Sequence, residues 1–335
     1  MRLIYAMLLG FILDLIFGDP HGLIHPVQII GWFIDKLKKG MQHMIYGGSY
    51  EEVREKEIER KAGVEKTAGF FLMLFIVAGT FAVVYGILYV ANLIHPVLRF
   101  CLETFFIYQI LATKSLKTES MKVYKKLKEG DLIGARKEVS YLVGRDTENL
   151  DESEVAKADV ETIAENTADG VIAPMLFIAI GGAPLGFAYK AVNTLDSMVA
   201  YKNEELINIG FFSAKMDDIC NFIPARFAAV MLMIASLILR FDFKGAVKIF
   251  KRDRFAHLSP NSAQTEAVAA GALQIQLGGT HNYFGKAVVK PTIGDDIRPV
   301  EYEDIKRANQ LLYVSAVLSM AVCCLITFLI YVQLF

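Results

Sequence analysis

Five apolar runs punctuate the 335-residue chain: Leu3–Phe17, Ala68–Leu93, Val171–Phe187, Ile223–Leu239 and Leu311–Phe335. A helix needs about 20 apolar residues to cross a bilayer. The second and fifth runs reach that length unaided. The other three are shorter and bordered by polar residues, so each could span, re-enter or pack as a buried core helix. A sixth stretch, Val97–Ala112, contains Arg99 and Glu103 and completes a hairpin with the second run, turning at Pro96. Backbone polar groups in lipid must be satisfied internally, and strand-like alternation is scarce. The expected fold is therefore all-α, a polytopic integral membrane bundle of about five to six membrane segments. Met1-Arg2 followed by Leu3–Leu13 resembles the start of a signal peptide, but no small-residue cleavage site follows and Asp14 interrupts the run. It reads as a retained first membrane helix.

Polar segments separate these runs. The chain is 54% hydrophobic yet 21% charged, with mean hydropathy +0.39. That mixture implies one integral membrane domain over residues 1–335, with polar helical segments at 114–160 and 241–310. Lys36–Lys66 carries both charge signs and includes a Glu-rich helix over Glu51–Arg60; Lys114–Lys157 is basic and helical, broken at Gly130-Asp131. The positive-inside rule puts all three polar regions in the cytoplasm of a multi-pass cell-membrane protein, with the active site on that face. A net charge of −1 and the lack of a dense Lys/Arg stripe argue against a nucleic-acid partner. Cys101, Cys220, Cys323 and Cys324 form no CxxC pair and read as small apolar residues.

Polar residues cluster at the edges of the runs. Glu161, Glu165 and Asp169 lie four apart, so a helix stacks them on one face. Like charges at that spacing repel, and such a stripe beside a membrane-grade segment suggests a metal ion or cationic substrate. Asn166 adds an oxygen donor suited to Mg²⁺. Asp14 sits inside an apolar run, where a carboxylate is costly unless paired. It leads into Asp19-Pro20, with His21 and His25 following. Asn193–Asn203 contributes Asp196 and Lys202. Asp217 and Asn221 share a helical face, and the Asp217-Asp218 pair reads as a metal site or as an acidic N-terminus of the next helix. Arg226 inside the fourth run needs a partner or must snorkel. Ser259-Pro260 reads as an N-cap and first helical position, which with Arg252, Arg254 and His257 would make a phosphate site. Gly279–Ala287 imitates a P-loop, but its spacing is one residue too long and Ala287 replaces the required hydroxyl.

Taken in order, these segments resemble the CbiB family of cobalamin-biosynthesis membrane proteins, adenosylcobinamide-phosphate synthases. The resemblance rests on Asp14–Pro20 with His25-Pro26, Glu165–Gly170, Asn193–Lys202, Asp217–Arg226, Arg252-Asp253, Ser259–Ser262, Glu266–Gly279 and Tyr283–Gly285. The chain departs from the family pattern at Ser259–Glu266, which lacks a Trp-Pro pair. The resemblance implies ATP-dependent ligation of adenosylcobyric acid to (R)-1-aminopropan-2-ol O-phosphate or ethanolamine phosphate, with Mg²⁺, beside membrane lipid. Its positions give Glu165, Asp169, Asp196 and His25 as catalytic candidates. Lys202, Asn221, Arg226, Arg252, Ser259, Asn261, Ser262 and Glu266 become candidates for binding substrate and phosphate, with Arg254 as a further cation. Glu165, Asp169, Asp217 and Asp218 become candidate Mg²⁺ ligands. Glu161 falls outside the family segments and is expected to be solvated.

Other classes fit part of the pattern. An Asp-rich, Mg²⁺-dependent intramembrane transferase would want Asp-x-x-Asp-Gly-x-x-Ala-Arg, but Asp169-Gly170 runs into Val-Ile-Ala-Pro; Asp217-Asp218 is not the repeated Asp-x-x-x-Asp of prenyl transferases. A non-catalytic membrane regulator needs no full polar set. A transporter could use intramembrane acids as an ion path.

Overall fold

The computed structural model describes residues 1–19, 25–55, 59–201, 203, 205–283 and 285–334. Thirteen helices occur among them: α1 (Arg2–Phe17), α2 (Pro26–Tyr46), α3 (Tyr50–Glu55), α4 (Ala62–Ile94), α5 (Pro96–Ile110), α6 (Thr113–Lys128), α7 (Leu132–Ser140), α8 (Glu152–Asn166), α9 (Ala173–Val199), α10 (Phe211–Ile238), α11 (Phe243–Asp253), α12 (Ser262–Leu273) and α13 (Glu303–Leu334). A π-helical turn, Thr167–Ile172, joins α8 to α9, and two antiparallel strands, β1 (Leu277–Tyr283) and β2 (Lys286–Ile293), form a hairpin. The protein is thus an all-α membrane helix bundle with one small sheet.

Among the described residues, four helices are long and apolar enough to cross a membrane: Ala62–Ile94, Glu152–Val199, Phe211–Ile238 and Glu303–Gln333. The sequence suggested five to six such segments. The difference lies in Leu3–Phe17 and Val97–Ala112, which become the shorter α1 and α5, of 16 and 15 residues. They pack on each other so closely that a Cβ on Gly10 would meet Ile107 and the Thr104 carbonyl. The α4–α5 turn falls at His95-Pro96 as expected, with the His95 imidazole accepting from the Val97 amide at 3.2 Å.

Glu152–Val199 is not one straight rod. Backbone angles leave the helical region at Gly181 and Gly182, and Gly182 has φ 66°. Twelve residues of continuous helix would rise about 18 Å, yet the rings of Phe177 and Tyr189 stack with centroids 4.8 Å apart. A Cβ on Gly186 would likewise meet Ile178. The chain therefore folds back at Gly181-Gly182 into two antiparallel arms. Pro184 starts the returning arm, where its missing N–H costs nothing. Glu103 on α5 accepts the Ala183 amide at the same point. The tip lies with Met1, Pro96, Arg99 and Tyr331 at one end of the bundle. The third apolar run therefore does not run straight through; it turns back within its own length.

Asp14 also finds its partner. It is fully buried, and its Oδ2 accepts the Thr113 amide at 3.1 Å, so α1 supplies a cap for the N-terminus of α6. The lower segments follow the predicted break: α6 ends and α7 begins around Gly130-Asp131, with Asp131 Oδ1 accepting from Gly134 N at 2.9 Å.

Replacing Asp14 with Ala leaves the Thr113 amide buried and unpaired, a loss of about 1–3 kcal/mol. Thermal unfolding of the detergent-solubilised protein should show a lower Tm for Asp14→Ala than for Asp14→Asn, whose amide oxygen still accepts. Equal Tm values for the two variants would remove this cap from the account.

Candidate functional site

The fold-back decides which polar groups meet. Descending from α8, the chain presents Glu161, Glu165 and, in the π-helical turn, Asp169. The returning arm of α9 presents Tyr189, Lys190, Asn193 and Asp196. Tyr189 donates its hydroxyl to the Asp169 carbonyl at 3.1 Å and to Asn221 Oδ1 at 2.8 Å. Asn221 on α10 then donates to Asp217 Oδ2 at 3.0 Å, and Asn193 also bonds Asp217. This relay ties both arms to α10. It puts Asp169, Asp196, Asp217 and Glu165 within electrostatic reach of one another. The other Asp217 oxygen, Oδ1, is buried without a hydrogen bond. The helical spacing of Asp217 and Asn221 was read correctly. The acidic N-terminus reading of Asp217-Asp218 was not, because α10 begins at Phe211 and has no acid in its first turn.

Asp218 faces the Ser-Pro-Asn segment. Ser259 Oγ donates to Asp218 Oδ1 at 3.2 Å, and Asn261 Nδ2 donates to the Asp218 carbonyl at 2.9 Å. Arg226 donates to Asn261 Oδ1 at 3.0 Å and to the carbonyls of Phe222 and Pro260, and its guanidinium lies over the Phe222 ring. The expected phosphate cradle at Ser259-Pro260 is corrected: α12 begins at Ser262, and Ser259, Asn261 and Arg226 brace one another and Asp218. Arg252 is also placed apart. It is ion-paired with Asp253 at 2.6 Å and with Asp295, which Lys248 holds as well. Lys202 lies outside the described residues.

Beside the acids lies a polar cavity of about 140 Å³, lined in part by Arg145, Glu161, Glu165, Asn166, His257, Glu266, His281 and Lys290. Glu161 is not the solvated member of the stripe. Arg145, itself buried, donates to Glu161 Oε2 at 2.7 Å, and Gly278 N donates to Oε1 at 2.7 Å. Lys157 stands one turn earlier on the same face, so the repulsion expected of the stripe is offset by two cations. Glu266 is buried at 4% exposure, with His257 Nδ1 at 3.6 Å from its carboxylate and at 3.0 Å from Ser262 Oγ. Burial, then the fields of Glu165 and Glu161, raises Glu266 well above the usual carboxylate range. Burial lowers His257, and burial followed by Arg145 pushes His281 down to about 4. Close backbone packing sets α12 in place: a Cβ on Gly271 would collide with the Gly245 carbonyl of α11.

On the opposite side, His25 Nδ1 accepts from Val27 N and caps α2, while Nε2 lies 3.7 Å from Asp19. Lys190 connects this corner to the acids, since the charges of Asp19, Asp169 and Asp14 all reach it. An apolar groove of about 690 Å³ between α2 and α4 opens next to the same corner, bounded by Pro26, Phe33, Phe75 and Phe187.

Sequence reading missed Arg145, Lys157, Tyr189, Lys190, His281 and Lys290. The signal for Lys190 was present, as a lone cation in an apolar stretch. His281 lay in the segment dismissed as an imitation P-loop and Lys290 just beyond it; both belong to the β-hairpin. It is anchored to the Arg145 loop by Asp146 N donating to the Asn282 carbonyl at 2.8 Å and by Gly285 N donating to Asp146 Oδ2 at 2.8 Å.

As a metal site the acids are open. Among the described residues no three His, Cys, Asp or Glu side chains converge tightly enough to hold a metal ion. Mg²⁺ is usually held by one or two carboxylates, several waters and substrate phosphates, and not by an all-protein cage. The buried, unpaired Asp217 Oδ1 fits that mode.

The family model described as CobD/Cbib protein matches residues 7–312. The chain belongs to the CobD/CbiB family. Among its relatives, "Cobalamin biosynthesis protein CobD" of Clostridium perfringens is 50% identical over 320 residues, covering 96% of each chain. The Streptococcus sanguinis protein of the same name is 48% identical, covering 92% of this chain and 93% of its own. "Cobalamin biosynthesis protein CbiB" of Salmonella choleraesuis is 42% identical, covering 95% and 96%. No solved structure matches the family member described here.

Two outcomes follow from the cavity's electrostatics. A double-mutant cycle of Arg145→Ala and Glu161→Gln, read by thermal unfolding, should give a coupling of about 0.5–3 kcal/mol; additive effects would mean that the pair contributes nothing. The depressed His281 resists protonation when folded, whereas the unfolded imidazole titrates near 6.5. Stability should therefore fall as pH drops from about 6.5 towards 4. His281→Gln should flatten that part of the Tm–pH curve, and an unchanged curve would contradict the assignment.

Proposed function

We propose that the protein catalyses ATP-dependent amide formation between a propionate carboxyl of adenosylcobyric acid and the amine of (R)-1-aminopropan-2-ol O-phosphate or ethanolamine phosphate, giving adenosylcobinamide phosphate. Family membership supports the coarser role, in cobalamin biosynthesis. The observation that carries the finer reading is the meeting of Asp169, Asp196 and Asp217, from both arms of the fold-back and α10, beside a polar cavity that Arg145 and Lys290 help to line.

A carboxylate is a poor acyl donor. In the proposed sequence the propionate oxygen attacks the γ-phosphorus of ATP and ADP leaves, forming an acyl phosphate. The amine then attacks the acyl carbon, phosphate departs, and the ammonium proton passes to a base. Mg²⁺ arriving with the nucleotide supplies charge neutralisation at the transferred phosphoryl group. Asp169, Asp196 and Asp217 would hold that complex, with Glu165 at its edge; Tyr189 and Asn221 fix the orientation of Asp217. Asp218, braced by Ser259 and Asn261, would be a more distant contributor. Lys190 is suited to hold the substrate carboxylate between His25 and Asp169, and the adjacent apolar groove is suited to the corrin's apolar face. Localisation in the cell membrane with this site open to the cytoplasm would give access to ATP.

The test is product analysis by mass spectrometry with purified protein, adenosylcobyric acid, aminopropanol phosphate and Mg²⁺–ATP. Adenosylcobinamide phosphate, ADP and phosphate are expected in equal amounts. No product from protein that is folded, beside an active relative as control, would overturn the ligation. AMP and pyrophosphate would replace the acyl phosphate with an acyl adenylate. Asp169→Asn and Asp217→Asn should each lower turnover on the order of 10²-fold or more with Tm retained; normal turnover in both would remove these acids from the chemistry.

A further inference from the structure

The end of the bundle remote from the acids holds a cavity of its own. From Asp169 the outgoing arm rises on the order of 18 Å to the turn at Gly181-Gly182. There the turn, the starts of α1 and α5 and the end of α13 surround a cavity of about 660 Å³, lined in part by Arg2, Leu3, Arg99, Phe100, Glu103 and Tyr331. That volume lies within the range of small-molecule pockets. Two of the helices long enough to cross a membrane, α4 and α13, end at this level, at Ile94 and beside Tyr331. The cavity therefore lies at one face of the bilayer, at the depth of the lipid headgroups. The surface next to it is apolar: Tyr5, Ile94, Val97 and Val332 are each more than half exposed. Tyrosines at this depth match the aromatic belt of membrane proteins.

Its cations are not neutralised from within. Glu103 is the acid nearest Arg99, and their closest approach is 3.9 Å, beyond a hydrogen bond. Glu103 is also committed elsewhere. It is buried, accepts the Ala183 amide and presses on the turn, where a Cβ on Gly182 would come within 2.6 Å of its Oε1. Arg2 has no ion-pair partner among the described residues. Two guanidinium groups against one occupied carboxylate leave the cavity positive, and the planar guanidinium fork suits a phosphate. We infer that this cavity holds the headgroup of an anionic phospholipid, its phosphate between Arg2 and Arg99 and its acyl chains along the exposed apolar faces of α1 and α5. Basic pockets between membrane helices take acidic headgroups in this way. A soluble phosphate would meet the same arginines but leave the apolar rim unused. A bound headgroup would also tie α1 to α5 beside the turn that aligns the two arms, so the lipid should stabilise the fold. The site is separate from the acids and does not depend on the ligation reading.

Native mass spectrometry of the full-length protein, delipidated in a neutral detergent, tests the site. The probes are dioleoyl phosphatidylglycerol, dioleoyl phosphatidylcholine and glycerol 3-phosphate, each added alone. One phosphatidylglycerol per chain should bind at least ~10-fold more tightly than phosphatidylcholine and raise the Tm, and glycerol 3-phosphate should do neither. Arg2→Gln and Arg99→Gln should each cut the preference for phosphatidylglycerol about 5-fold, and the double Gln variant should abolish it. Phosphatidylcholine binding should stay as it is in all of them. The double variant Arg2→Lys with Arg99→Lys should keep most of the preference, separating lost charge from lost fold. Equal binding of the two lipids, or an unchanged preference in the double Gln variant, would overturn the site. Glycerol 3-phosphate binding as tightly as phosphatidylglycerol would overturn it as well, since the ligand would then be a soluble phosphate.

Discussion

The reversal at Gly181-Gly182 is the constraint on which the rest depends. Without it, residues 152–199 would form a rod and Asp169 would stand about 40 Å from Asp196. The turn brings the two within electrostatic reach. A left-handed glycine allows the sharp change of direction, and Glu103 takes the amide that the break exposes. The Phe177–Tyr189 stack and the Tyr189 hydroxyl bonds then fix how far one arm sits along the other. The same tyrosine reaches α10 through Asn221, so one side chain sets the spacing of three acid-bearing segments.

That arrangement is expensive in isolation. Carboxylates brought together in a poorly hydrated bundle repel and lose solvation. The protein offsets part of this locally: Arg145 and Gly278 hold Glu161, and Ser259 holds Asp218. Asp169, Asp196 and Asp217 have no ion-pair partner among the described residues. Uncompensated acids grouped this way make binding of a cationic or metal-bearing ligand favourable where the chemistry is proposed.

Much of this was legible in the sequence. The apolar runs gave the bundle, Pro96 gave the α4–α5 turn, and the four-residue spacing of Asp217 and Asn221 gave their contact. What the pattern hid was long-range. Gly181-Gly182 lies in an apolar run where no polar residue marks a turn, so the fold-back could not be separated from a span. Glu161 looked solvated because its partners, Arg145 and Gly278, are 16 and 117 residues away. Arg252 looked like a phosphate ligand because Asp295, which engages it, is 43 residues downstream. The β-hairpin was masked by its resemblance to a P-loop. For Glu161 the partners came from distant segments; for Arg252 one is distant, Asp295, and one adjacent, Asp253.

The central claim is that Asp169, Asp196 and Asp217 act as one site for a metal–nucleotide complex. Titration of Mn²⁺–ATP, followed by electron paramagnetic resonance, tests it most directly. The account predicts one bound complex per chain, weakened by at least ~10-fold in each of Asp169→Asn, Asp196→Asn and Asp217→Asn. It also predicts that a double variant is little worse than either single one, as expected for groups sharing one ligand. Mn²⁺–ATP binding that survives all three substitutions, or losses that simply add, would contradict it.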